Sequence, residues 1–86
     1  MEYGIAVCTS ITTAQRVKRL AVKEQIKGVS LMQLPASLAV KGCNYSIRSQ
    51  YCDFQKLCKL CGKHSLTIKA TYLETLEQGK KVYHRL

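Results

Sequence analysis

The feature that most constrains this chain is the order in which two hydrophobic periods follow one another. Tyr3, Ile5 and Val7 alternate with Gly4, Ala6 and Cys8, a period of two that predicts a strand with one face on a core. Ala14, Val17, Leu20 and Ala21 then recur at three-and-four spacing, which predicts an amphipathic helix over residues 12 to 26. The segment Thr9-Ser10-Ile11-Thr12-Thr13 offers several N-caps, Thr12 with Gln15 fits a capping box, and Gly28 is placed as the stop. Val29 to Leu34 reads as a second strand, ended by Pro35 because proline cannot donate to a ladder. After a loop from Ala36 to Gly42, Tyr45, Ile47, Ser49 and Tyr51 alternate as a third strand that runs to Cys52. Asp53 is the expected N-cap of a second helix over residues 53 to 64, where Phe54, Leu57, Cys58 and Cys61 make one buried stripe and Lys56, Lys59 and Lys63 face water. Leu66, Ile68, Ala70 and Tyr72 alternate as a fourth strand, and Thr75 to Lys80, with Gly79, forms a turn into a short strand from Lys81 to Arg85.

This order, β-α-β-β-α-β, predicts an α+β, ferredoxin-like antiparallel sheet with two helices on one face and an added C-terminal hairpin strand. All 86 residues are expected to form one domain. By parity, Tyr3, Tyr45 and Tyr72 go with Ile5, Ile47 and Ile68 toward the helices, and Ala6, Cys8 and Arg48 go to the other face. That second face is small and mixed, so the final hairpin or a second subunit would cover part of it, and a homodimer is one arrangement to test. The same topology brings the start of the first helix, Ser10 to Thr13, to the end of the molecule that carries the loop with Cys43.

A chain of this length buries roughly 60 to 65% of its unfolded surface, enough for a two-layer core but not for a deep multi-substrate cavity. No apolar run approaches the roughly 18 residues of a membrane span, and Met1-Glu2-Tyr3 lacks a basic leader region, so a cytoplasmic location is expected. In a reducing cytoplasm the five cysteines are expected to be thiols rather than a disulfide framework.

Among those thiols Cys43 has the most suggestive surroundings. It follows Gly42 at the mouth of the third strand and shares parity with Tyr45 and Ile47, so its side chain is expected to lean toward the start of the first helix. A helix N-terminus carries about half a unit of positive charge and favours a thiolate; Lys41 adds a cation, and the Thr12 and Thr13 hydroxyls add donors. The competing reading is a small residue that begins a strand. Cys58-Lys59-Leu60-Cys61 with His64 is half a zinc site, yet a second ligand pair is missing and both thiols fall on the core stripe, so no metal and no cofactor are expected.

Fourteen Lys and Arg against five Asp and Glu give a net charge of +9, a general attraction for anions. Arg16, Arg19, Lys23 and Lys27 form a basic stripe that is either a solvated face or a surface for RNA or an acidic protein. Nucleic acid is the less favoured partner, because the aromatic residues are expected under the helices and no RNP-like motif is present. With so few acids, general acid/base catalysis has few candidates.

The segments Thr12-Thr13-Ala14-Gln15-Arg16, Leu34-Pro35 and Gly42-Cys43-Asn44-Tyr45-Ser46-Ile47-Arg48 resemble the small selenium/sulfur (Se/S) carrier protein-like family. There a helix opens after a Ser/Thr-rich turn, a strand ends in proline, and a Gly/Ser-Cys-Gly-type motif leads into an apolar-Arg strand. Asn44 stands where a second glycine is expected, and Ala36 where a charged residue is common. The resemblance implies a carrier protein rather than an enzyme. Cys43 would hold sulfur or selenium as a persulfide or selenosulfide, Arg48 would support it, and the partners would be donor and acceptor proteins.

Overall fold

The computed structural model describes residues 2–34, 38 and 45–86. Among them the elements run β1 (Tyr3–Cys8), α1 (Ile11–Lys23), β2 (Ser30–Gln33), β3 (Tyr45–Gln50), α2 (Tyr51–Lys63), β4 (Ile68–Glu77) and β5 (Lys80–Arg85). The fold is α+β, with the five strands in one sheet ordered β2-β3-β1-β4-β5. Every neighbouring pair is antiparallel. No helix among the described residues is long and apolar enough to cross a membrane.

Both helices close with the same backbone device. Gln25 takes a left-handed conformation (φ 61°), which lets its own amide donate to Val22 and the Ile26 amide donate back to Ala21 at 2.9 Å. Ser65 (φ 56°) does the same for α2, with Leu66 donating to Cys61 at 2.9 Å. These are Schellman closures, in which the residue after the turn also packs onto the core; here those residues are Ile26 and Leu66. Helix α1 therefore stops at Lys23, short of the expected residue 26, because Gln25 rather than Gly28 supplies the left-handed turn.

The helix starts also differ from expectation. Ser10, not Thr12, caps α1: its side chain accepts the Thr13 amide at 3.2 Å, so the Thr12–Gln15 capping box does not form. Helix α2 begins at Tyr51 with Gln50 as N-cap, and Asp53 sits in its first turn. Cys52 consequently belongs to α2 and is exposed, not placed at the end of the third strand.

The larger correction concerns the sheet faces. Ala6 and Cys8 join Ile47 in the core beneath α1 and α2, packed with Ala14, Val17, Ala21, Phe54, Leu57 and Cys61. Ile5 and Val7 lie on the opposite face with Leu34, Leu38, Ala70, Tyr72 and Tyr83. Parity in β1 is thus the reverse of the expected one, and Tyr72 points away from the helices while Tyr45 packs with them as expected. Small residues face the helices because the layers approach closely; a Cβ built on Gly4 would stand 2.1 Å from Phe54 Cγ. Large aliphatic residues can occupy the other face because Leu34, Leu38 and Tyr83 cover them, leaving Ile5 fully buried.

In β4 the alternation expected for residues 66 to 72 is interrupted. Val7 pairs with Ala70 but Cys8 pairs with Ile68, which makes Lys69 an extra residue and puts Ile68 and Ala70 on opposite faces. The strand also continues through Thr75 to Glu77, where a turn was expected. The hairpin is closed by Gln78 and Gly79 alone, both at positive φ (52° and 76°), the combination a tight right-twisted hairpin turn requires.

Candidate functional site

The register defines one end of the molecule. Val7 lies opposite Ser46, and Gln33 lies opposite Tyr45, so the end of β1, the end of β2 and the start of β3 meet there. Helix α1 begins two residues after β1 and opens at that end. Its first turn holds no acidic side chain. Thr13 Oγ1 is 3.1 Å from Thr9 Oγ1 and 3.2 Å from Ser10 Oγ, while Thr12 is exposed. Such a hydroxyl-rich, positively polarised helix start suits an anion. Lys41, Gly42 and Cys43 lie outside the described residues.

Arg48 is elsewhere. It projects from β3 on the sheet face away from the helices, crosses β1 with its guanidinium 3.6 Å from the Tyr3 ring centre, and reaches Glu74 of β4. Its Nη2 and Nε donate to Glu74 Oε2 at 2.7 and 3.3 Å. Glu74 is only 4% exposed, and among the described residues its Oε1 accepts no hydrogen bond of good geometry. Burial, followed by the nearby Glu74 charge, pushes the Tyr83 phenol up from its ordinary range. The structure therefore groups Thr12 with Thr13 and separates both from Arg48, whose contacts fasten β3 to β4 across β1. Sequence reasoning missed Glu74 because the fourth strand was expected to end at Tyr72; an acid sharing parity with Tyr72 was the available signal.

The remaining cysteines divide by burial. Cys8 is fully buried, and its thiol donates toward the Ala6 carbonyl at 3.7 Å. Cys61 is 3% exposed; burial, then the neighbouring Cys58, pushes its thiol up to about 11. Burial also raises Cys58. Both shifts favour the unreactive thiol form. Cys52 is the exposed thiol among the described residues, 3.7 Å from Gln50 Oε1 in a shallow hollow with Glu2 and Tyr51. Among the described residues no group of three or more His, Cys, Asp and Glu is placed to hold a metal.

The basic stripe is solvent-exposed at Arg16, Arg19 and Lys23 on α1, and Lys27 follows beyond the helix, also exposed. Sequence reasoning passed over Lys18, which lines an open groove of about 460 Å³ with Gln15, Arg19, Val22 and Leu31. Position 18 lies off the Arg16, Arg19, Lys23 stripe, on the side of α1 that overhangs β2.

No curated protein and no solved structure matches the chain. A family model does, over residues 3–73, from the first residue of β1 into β4. On that match the chain belongs to the family described as "Putative Se/S carrier protein-like".

Proposed function

We propose that the protein is a sulfur or selenium carrier that holds the atom on Cys43 and passes it to a partner protein. The observation that carries this reading is the family match, which spans position 43. The helix start at the same end as Gln33 and Tyr45 supports it, since a persulfide anion is stabilised by the donors and positive polarity found there. Cys8 and Cys61 are buried and poor nucleophiles, which leaves fewer competitors for the role.

The chemistry is thiol exchange. The Cys43 thiolate attacks the outer sulfur of a donor persulfide, R–S–SH. A new S–S bond forms to Cys43, the donor's S–S bond breaks, and R–S⁻ leaves with the electron pair, so no external oxidant is needed. A donor R–S–SeH gives the selenosulfide Cys43–S–SeH by the same balance. An acceptor nucleophile then repeats the step, taking the outer atom and returning Cys43 as thiolate.

The reading extends to architecture and location. Residues 1–86 act as one Se/S carrier-like domain, with the strand order β2-β3-β1-β4 read as a ferredoxin-like split βαβ and β5 added at its edge. A reducing, cytoplasmic setting keeps the thiols available. Lys41, Gly42, Thr12 and Thr13 are assigned to stabilising the anion, and Arg48 to holding the sheet that supports β3.

The test is mass spectrometry of the reduced protein after exposure to a persulfide donor, with the modified site mapped by digestion. Cys43 should gain one sulfur, the Cys43→Ser protein should gain none, and limiting alkylation near neutral pH should modify Cys43 first. Modification of Cys52 ahead of Cys43 would overturn the assignment. A basic module for RNA or an acidic protein would then be the better account, with binding that survives Cys43→Ser and weakens steeply with salt.

A further inference from the structure

The edge strand β2 and the helix above it point to a second property that does not depend on the chemistry at Cys43. In the sheet order β2 stands at one end, paired with β3 on one side only. Among the described residues its outer edge has no strand partner, so alternate N–H and C=O groups face outward, the template on which another strand can add. Helix α1 overhangs this edge. The groove between them, about 460 Å³, has Leu31 of β2 for its floor and Gln15, Lys18, Arg19 and Val22 of α1 for its wall. Val22 is 66% exposed, an apolar side chain left in water beside two cations.

We propose that this groove binds an extended acidic segment of a partner protein, which adds to β2 as a sixth strand. Main-chain hydrogen bonds to β2 supply affinity, and side chains facing α1 supply specificity. Charge selects the occupant: Lys18 and Arg19 line the wall, no acidic residue among the described ones does, and the chain as a whole carries +9. A second copy of this chain is a poor occupant, because β2-to-β2 pairing would face two such cationic walls toward each other. Geometry sets the motif. Strands β1 and β2 both pair antiparallel to β3 and so run alike, and α1 runs back between them. A segment antiparallel to β2 therefore runs with α1. From Lys18 and Arg19 to Val22 is about 5 Å along a helix, at 1.5 Å per residue, close to the roughly 6.7 Å between alternate residues of a strand. An acid over Lys18 and Arg19 followed two positions later by an aliphatic residue over Val22 and Leu31 fits both spacings.

The probe is a synthetic peptide, acetyl-Glu-Thr-Glu-Thr-Val-Thr-amide, titrated into the reduced full chain labelled with nitrogen-15. Alternate amides of Ser30–Gln33 should shift and gain hydrogen-exchange protection. Lys18→Glu with Arg19→Glu should weaken binding at least tenfold. Replacing the peptide's Glu by Lys should do the same, as should N-methylation of its alternate backbone amides, and neither of these peptide changes can unfold the protein. Several results overturn the proposal: no binding, equal binding of the N-methylated peptide, equal displacement by a single-stranded oligonucleotide of matched charge, or self-association of the free chain through β2.

Discussion

Replacing Gly4 by alanine adds one methyl group and should cost the fold about as much as a mild core deletion. The new Cβ would stand 2.1, 2.3 and 2.6 Å from Cγ, Cδ1 and Cδ2 of Phe54, whereas carbon atoms in contact sit about 3.5 to 4.0 Å apart. The ring must therefore retreat by more than about 1 Å. It is 3% exposed and packed with Ala6, Ile47 and Leu57, so the movement lifts α2 from the sheet. Overpacking of this kind costs about 3 kcal/mol, against which alanine in a strand recovers roughly 0.5 to 1 kcal/mol of backbone entropy. A net loss of about 2 kcal/mol or more is expected, read as a lower urea midpoint and a Tm lower by roughly 10 °C. Phe54→Leu, destabilising alone, should destabilise much less in the Gly4→Ala protein, with a coupling energy above about 1 kcal/mol. If Gly4→Ala is as stable as the parent, or if the two substitutions simply add, the close stacking of ring on glycine is wrong.

Other substitutions test the remaining structural assignments. Arg48→Met should cost about 3 kcal/mol in urea denaturation by leaving Glu74 buried without its cation, and adding Glu74→Leu should restore most of that loss. Ser10→Ala should cost about 1 kcal/mol and Thr12→Ala almost nothing, the reverse of what the capping-box reading requires. The Cys61 thiol, raised from 9.0 to about 11, stays protonated in the folded chain after it ionises in the unfolded one. Its contribution is complete below pH 9 and is lost as pH rises through that window, a decline of roughly 2 kcal/mol. Cys61→Ala should flatten the stability profile between pH 9 and 11.

The alternation of periods was enough to place every helix and strand in order, because each carries its own apolar spacing. It failed on the faces of β1 and of β4 beyond Lys69, where contacts between distant segments decide. In β1 the larger residues Tyr3, Ile5 and Val7 suggested the core side, but the helices lie so close that only Gly4, Ala6 and Cys8 fit beneath them. Nothing local to β1 announces that Leu34 and Tyr83 will cover its other side. Lys69 shows a second limit: a bulge inserts one residue and reverses all later parity, yet its sequence reads as one more polar position. Helix ends were blurred for a related reason, since Gln25 and Ser65 take the left-handed conformation usually given to glycine. At the candidate site, Thr12 and Thr13 fell where topology put them, and Arg48 lies on the face away from the helices as its parity predicted; its partner Glu74 was missed because the fourth strand was expected to end at Tyr72. Cys43 itself lies outside the described residues.

The central place of β1 has a kinetic meaning. Helices and the β4–β5 hairpin join neighbours in the chain and can form within microseconds. The middle of the sheet cannot, because Tyr3 must find both Gln50 and Glu74, and every such pairing closes a long loop. By loop-closure entropy β1 is the strand expected to dock last, and the folding rate should follow that search more than the speed of any helix. Until it docks, β3 and β4 each expose an unpaired edge, so the interval before docking is when the chain is most open to pairing with another molecule.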